Sequence, residues 1–197
     1  GLGMRLSPVT KSVSKQLLPV YDKPLIFYLL SVLMLCNIKN ILIIVKKGER
    51  RNFQAALGDT RDLGINLEFK EQIKPTGIPE AFIIGEKFIN HNSVALILGD
   101  NFFYGQGLTE ILRKNFNLNN GARIFTYPIN DPHNFGIVEK ANKGKKVRIV
   151  EKPKNSKSNL AITGLYLFDK NVSDYAKKIK ISKRKETEIV DLIKIYN

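Results

Sequence analysis

Gly1-Leu2-Gly3-Met4-Arg5-Leu6-Ser7-Pro8-Val9-Thr10-Lys11-Ser12-Val13-Ser14-Lys15-Gln16-Leu17-Leu18-Pro19-Val20-Tyr21-Asp22-Lys23-Pro24 opens the chain. Gly1 and Gly3 leave the backbone bare enough to approach phosphate oxygens, and Arg5, Lys11 and Lys15 bring three positive charges to the same short loop. That is the outline of a polyphosphate cradle. Glycines also mark any tight turn, so the Gly-x-Gly spacing by itself leaves a plain turn open.

Outward from this loop the chain alternates helix and strand signals. Pro24 stands where a first helical residue is favoured and leads into the apolar run Leu25 to Cys36; Ile41 to Val45 then reads as a strand of the buried, parallel-sheet kind. Gly48 to Leu57 reads as helix, Leu67 to Gln72 as strand and Ile78 to Ile89 as one helix. Val94 to Leu98 reads as a second buried strand that ends at Gly99-Asp100. A carboxylate just past the C-terminal end of a strand lies where open α/β sheets bind ligands. Leu108, Ile111 and Leu112 give a short helix face. Strands are predicted over 122–129, 135–140, 147–152 and 160–169, with Lys143-Gly144-Lys145-Lys146 as a hairpin turn. Val172, Tyr175, Ala176 and Ile179 recur at helical spacing, as do Ile189, Leu192, Ile193 and Tyr196. Neither an internal repeat nor a linker is visible, so one domain over residues 1–197 is expected.

Composition sets the outer bounds. A chain of 197 residues with 43% hydrophobic and 25% charged residues can bury a substantial core, which excludes a disordered tail. The apolar run from Leu25 to Cys36 holds 12 residues, short of the ~17 to 25 of a membrane span, and no small-residue cleavage site follows it. One cysteine, Cys36, cannot form an internal disulfide, which fits a reducing cytoplasm. The balance of 32 Lys+Arg against 18 Asp+Glu gives a net charge of +14, which invites a nucleic-acid reading. The basic residues are scattered over every segment, however, so phosphorylated small molecules are the better match and nucleic acid is not expected.

From Ser14-Lys15-Gln16-Leu17-Leu18-Pro19-Val20-Tyr21-Asp22-Lys23-Pro24, after Gly1-x-Gly3-x-Arg5-Leu6, the chain resembles the sugar-1-phosphate nucleotidyltransferases, and within them the thymidylyltransferases that act on glucose 1-phosphate. The likeness continues in the family's order through Leu98-Gly99-Asp100-Asn101, Asn130-Asp131-Pro132, Phe135-Gly136-Ile137-Val138-Glu139, Glu151-Lys152-Pro153, Ser158-Asn159, Thr163-Gly164-Leu165-Tyr166 and Glu186-x-Glu188-Ile189-x-Asp191. It implies an α/β, Rossmann-like nucleotidyltransferase fold, a mixed and mostly parallel sheet flanked by helices. It further implies thymidylyl transfer from dTTP to glucose 1-phosphate, giving dTDP-glucose and pyrophosphate, with Mg²⁺ as cofactor and a homotetrameric full-length protein.

By the same resemblance Arg5 grips the triphosphate, Lys15 holds the region of the α-phosphate, and Lys152 and Arg184 hold the sugar phosphate. Gly1, Gly3, Gln16, Gln72 and Gly77 fall at nucleotide contacts; an amide can pair with a pyrimidine edge, and a bare glycine can back a base. Asn101, Gly136, Glu151, Ile162 and Tyr166 fall at sugar contacts, and Asp100 at a Mg²⁺ ligand. Each position also has a plain structural reading: a solvated lysine, a helix cap at Asp100, an exposed strand acid at Glu151, a surface amide at Gln72.

The sequence departs from the family in places. Met4 stands for a threonine, Pro79-Glu80 for Ala-Gln, Phe135 for a tyrosine and Lys185 for a glycine. No apolar strand precedes Gly1, and the family's second metal-binding aspartate falls beyond Asn197, so both ends are expected to be truncated and the 197-residue stretch alone inactive. His91 and His133, in polar loops without Cys or His companions at ligand spacing, read as surface residues. Three alternatives remain: a uridylyltransferase, an inactive nucleotide- or sugar-phosphate-binding homologue, and a basic interaction protein.

Overall fold

The computed structural model describes residues 6–140, 147–182 and 184–197; the expected glycine loop at Gly1, Gly3 and Arg5 and the 143–146 turn lie outside them. The chain divides into two compact units, the first made of residues up to Pro75 together with Ile97–Asn117, the second of Thr76–Leu96 and Leu118–Asn197.

In the first unit a two-residue hairpin, β1 (Pro19–Val20) and β2 (Lys23–Pro24), leads into helix α1 (Leu25–Leu35). Pro24 is the residue before the helix rather than its first. Ile26, Leu29, Leu30 and Leu33 recur at helical spacing and are buried, which is what makes this all-apolar segment a core helix. Its C-terminus closes through Asn37 in the left-handed region, and Arg113 Nε, from α5 (Leu108–Asn115), donates to the Leu35 carbonyl at 3.0 Å. β3 (Asn40–Lys46) and β4 (Asn66–Gln72) pair in parallel from Asn40↔Asn66 to Lys46↔Gln72, with α2 (Arg50–Leu57) in their connection. Only alternate residues of β3, namely Ile41, Ile43 and Val45, are fully buried.

The second unit carries a five-stranded sheet in the order β5-β9-β7-β8, with β6 also on β9. Its strands are β5 (Val94–Ile97), β6 (Ala122–Pro128), β7 (Gly136–Lys140), β8 (Val147–Glu151) and β9 (Leu160–Phe168). β9 is buried along almost its whole length. The fold is mixed α/β as expected, but the antiparallel share is larger than "mostly parallel" implies: β6·β9, β7·β8 and β7·β9 all run antiparallel. For β7 and β8 the short link forces this, since a parallel pair needs a crossover of a dozen residues or more. β5, expected to be fully buried, is half-buried throughout because it stands at the end of the strand order.

The helix expected over Ile78 to Ile89 is two, α3 (Glu80–Ile84) and α4 (Glu86–Ile89), broken at Gly85, a residue that disfavours helix continuation. α6 (Val172–Lys177) packs on α3, where Ser173 Oγ donates to the Phe82 carbonyl at 3.1 Å. α7 (Ile189–Ile195) buries Ile189, Val190, Leu192 and Ile193. On α5 only Leu112 of the expected face is fully buried, and Ile111 is exposed.

Candidate functional site

The predicted residues fall into two sets, one in each unit. In the first unit, Ser14 anchors the segment that carries Lys15. Its buried hydroxyl donates to Glu49 Oε2 at 2.7 Å, while Glu49 Oε1 faces Lys46 Nζ at 3.4 Å, so the loop is tied to the C-terminal end of β3. A single 3-10 turn at Lys15–Leu17 follows, closed by Leu17 N–H to the Ser14 carbonyl at 2.9 Å. From that turn Lys15 reaches Asp100 Oδ2 as an ion pair. Asn101 Nδ2 donates to the other carboxylate oxygen at 3.2 Å. Burial pushes the Asp100 carboxyl upward, but the Lys15 hydrogen bond and charge, with the Asn101 bond, outweigh it and hold it below the ordinary carboxylate value.

Gln16 lies across Gly99: a Cβ there would stand 2.8 Å from both Cγ and Nε2 of Gln16. Asp100 does not cap the next helix, since α5 starts after Gly107. Gln72 ends β4, half-buried, and its carbonyl accepts from Lys47 N–H at 3.2 Å. Lys15, Gln16, Asp100 and Asn101 are thus brought together, whereas Gly1, Gly3 and Arg5 are not among the described residues.

In the second unit the sheet register does the assembling. Gly136 on β7 is paired with Glu151 on β8, and a Cβ added at Gly136 would meet Val190 Cγ2 at 3.0 Å, Glu151 Oε2 at 3.4 Å and Ile162 Cδ1 at 3.5 Å. Three predicted sugar contacts therefore share one spot. Arg184 Nη2 joins them, 3.0 Å from Glu151 Oε1. Lys152 follows Glu151 with φ 44, and its N–H donates to the Phe135 carbonyl at 2.9 Å. That bond uses the backbone of residue 135, so phenylalanine in place of tyrosine leaves it intact.

Two predicted residues have other surroundings. Tyr166 is 3% exposed and stacks on Phe168 with ring centroids 6.2 Å apart. Between Ile162 and Tyr166 the strand bulges: Ile124 to Thr126 on β6 spans two residues where β9 uses four. Gly77, read as a backing for a base, has φ 124 and its Cα faces Thr187, whose carbonyl oxygen would lie 2.1 Å from a Cβ. Thr187 N–H donates to the Thr76 carbonyl at 2.7 Å. Packing alone thus requires a glycine there.

His133 was read as a plain surface residue, and half its role was missed. Its ring is exposed, yet Nδ1 lies 2.9 Å from the Pro153 carbonyl, directly after Lys152. Asp131 accepts from His133 N–H at 3.2 Å and so shapes the turn that presents the ring. The Asn130-Asp131-Pro132 motif was the available signal. Among the described residues no cluster of three or more His, Cys, Asp or Glu side chains is poised to hold a metal ion, and no helix is long and apolar enough to cross a membrane.

Against known proteins, the family model described as "Nucleotidyl transferase" matches residues 1–197. A glucose-1-phosphate thymidylyltransferase of Neisseria meningitidis is 47% identical over the whole of this chain and 68% of its own length; one from Xanthomonas campestris is 48% identical, with 66% of its length covered. A crystal structure assigned to a glucose-1-phosphate thymidylyltransferase of Bacillus anthracis, in complex with a sucrose, superposes with a TM-score of 0.87 at 36% identity, covering all of this chain and 79% of that one. A UDP-glucose pyrophosphorylase bound to UDP-glucose shares the fold, with a TM-score of 0.80 at 22% identity over 99% of this chain and 83% of its own.

Proposed function

The chain belongs to the nucleotidyl transferase family, and from that premise we propose that it carries the machinery of a glucose-1-phosphate thymidylyltransferase. A phosphate oxygen of glucose 1-phosphate attacks the α-phosphorus of dTTP, the bond to the β-phosphate breaks, and dTDP-glucose and pyrophosphate leave. No side-chain nucleophile is needed. The work is to hold two polyanions and to neutralise charge on the in-line transition state.

The observation that carries the reading is the grouping of Gly136, Glu151, Ile162 and Arg184, with Lys152 adjacent to Glu151 in sequence. A carboxylate suits vicinal sugar hydroxyls as an acceptor, a bare glycine and an isoleucine suit a ring face, and two cations suit the attached phosphate. Relatives named for this activity, 47% and 48% identical across the whole chain, support it.

In the first unit Lys15 and Asp100 neutralise each other without ligand. Arrival of a triphosphate gives the Lys15 ammonium a stronger anionic partner and frees the Asp100 carboxylate. Asp100 is ionised and partly exposed, and one carboxylate plus substrate phosphates is a usual Mg²⁺ environment, so this residue fits the metal. Mg²⁺ bound there would supply charge neutralisation at the phosphates. Gln16 and Gln72 are assigned to the nucleotide, and Arg5, Gly1 and Gly3 keep the assignment to the triphosphate given by the motif.

Full-length protein supplied with glucose 1-phosphate and Mg²⁺ is expected to release pyrophosphate faster from dTTP than from UTP or ATP. Lys152→Ala should lower kcat/KM by at least ~100-fold with the fold retained. Turnover of ATP at or above that of dTTP rejects the substrate assignment; a Lys152→Ala enzyme within about threefold of wild type returns Lys152 to a solvated surface lysine.

A further inference from the structure

Arg184 meets two carboxylates, and they do different things. Glu188 takes the guanidinium side-on: Nε donates to its Oε1 at 3.0 Å and Nη2 to its Oε2 at 2.6 Å. Glu151 receives one bond, from the same Nη2, at 3.0 Å. Two parallel bonds from a planar fork fix an orientation, which one bond cannot do. Glu188 is itself fixed, because Ser182 Oγ donates to its Oε1 at 2.8 Å and its side chain is only 14% exposed. Ser182 Oγ also accepts from Arg184 N–H at 3.2 Å.

Helix geometry does not account for a glutamate at this position. Residue 188 precedes the first turn of α7, where Ser, Thr, Asp or Asn is favoured, and its side chain makes no capping bond. The carboxylate is committed to Arg184 and Ser182 instead.

Resting on the function proposed above, we infer that Glu188 is a positioning residue for the phosphate of the sugar phosphate. Glu188 holds Nε and part of Nη2, and the side-chain bonds of Arg184 among the described residues all come from Nε and Nη2, none from Nη1. Without ligand the group of one guanidinium and two carboxylates carries a net negative charge, which repels a phosphate monoester. Glu151 resolves this when its carboxylate transfers to the sugar hydroxyls while Glu188 stays in place. Arg184 then offers Nη1 and its remaining Nη2 proton to the phosphate without losing its orientation.

Glu188→Gln in the full-length protein tests the inference, because it keeps the shape and removes the charge and one acceptor. It is expected to raise KM for glucose 1-phosphate by roughly 10-fold or more, with KM for dTTP within about twofold and kcat within about threefold of wild type. In an Arg184→Ala background the same change should add nothing further, since the residue acts only through that guanidinium. A lower melting temperature with both KM values unchanged would mean a structural role and overturn the inference, as would an undiminished effect in the Arg184→Ala background. Wild-type protein that releases no pyrophosphate from dTTP and glucose 1-phosphate would instead remove the thymidylyltransferase reading on which the inference rests.

Discussion

The two units carry charged clusters of similar chemistry on different kinds of support. In the first unit Lys15 and Asp100 stand on irregular backbone, a 3-10 turn and the loop after Ile97, held by one hydroxyl-carboxylate bond and a glutamine draped over a glycine. In the second, Glu151, Gly136 and Ile162 stand on three strands, and the ladder fixes their spacing before any side chain is chosen. The first arrangement rests on side-chain bonds that can exchange partners; the second rests on backbone pairing that cannot shift without breaking the sheet.

Glycine substitutions probe that contrast most forcefully. At Gly77 in the second unit a Cβ would collide with the Thr187 backbone at 2.1 Å, and φ 124 is a conformation that other residues rarely adopt and only under strain. Overpacking and backbone strain each cost ~1 to 3 kcal/mol, so Gly77→Ala should lose roughly 2 to 6 kcal/mol. Against a total stability of about 5 to 15 kcal/mol this is a large share. At Gly99 in the first unit the obstacle is the flexible end of Gln16, with no positive φ, so Gly99→Ala should cost under ~1 kcal/mol and act instead on nucleotide affinity. Urea denaturation of the two variants decides; equal losses would erase the distinction between the supports.

The same contrast explains what could be read from the chain. α1, β3, β4, β6, β8, β9 and α7 follow from local periodicity, and their ends agree to within a residue or two. Motif order singles out Gly136, Glu151 and Ile162, which lie together, but the cause of their grouping, a shared register across β7, β8 and β9, is non-local and left no trace in composition. Gly77 shows the reverse. The family resemblance implies a base contact there, while the need for a glycine already follows from Thr187, 110 residues away, which no local pattern announces. The contact of His133 is harder to read because its partner is a backbone carbonyl, and only the neighbouring Asn130-Asp131-Pro132 motif marks the position. Ile111 was overestimated because an eight-residue helix has little buried face to offer.

Two aspartates sharpen the comparison at intermediate cost. Asp169, 5% exposed, accepts from Gly121 N–H at 2.8 Å, Asn171 N–H at 2.9 Å and Tyr196 OH at 3.1 Å. Burial works to raise its carboxyl, yet these donors prevail and hold it below the ordinary value. An amide in its place turns an NH₂ group toward a donor, so Asp169→Asn should cost about 1 to 3 kcal/mol at pH 7. A depressed folded-state value means the ionised carboxylate stabilises the fold above about pH 3.9 and that this contribution is lost as pH falls through the folded value. The gap between wild type and variant should therefore be full at pH 7 and shrink below about pH 4. Asp100→Asn in the first unit, where the carboxylate is 43% exposed, should cost no more than ~1 kcal/mol while impairing turnover. A pH-independent gap for Asp169→Asn would disprove the ionised-acceptor account.

The smallest effect concerns backbone strain, again one residue per unit. Asn37 ends α1 with φ 59, and Lys185 sits between Arg184 and Glu186 with φ 62. Asparagine tolerates the left-handed region better than most residues because its short polar side chain finds local partners, whereas a lysine gains nothing there. Holding an ordinary side chain in that conformation costs roughly 1 to 2 kcal/mol, and glycine gives back ~0.5 to 1 kcal/mol through its freer unfolded chain. Lys185→Gly should therefore stabilise the protein by about 0.5 to 1 kcal/mol, while Asn37→Gly stays within ~0.5 kcal/mol of neutral. The turn would keep its bonds, since Lys185 N–H to the Ser182 carbonyl at 2.9 Å and Ser182 N–H to the Glu186 carbonyl at 2.8 Å use backbone alone. Equilibrium urea midpoints at equal slope measure both. A Lys185→Gly variant no more stable than wild type would show that the turn bears no strain, and that the lysine sits there at no cost to the loop that carries Arg184.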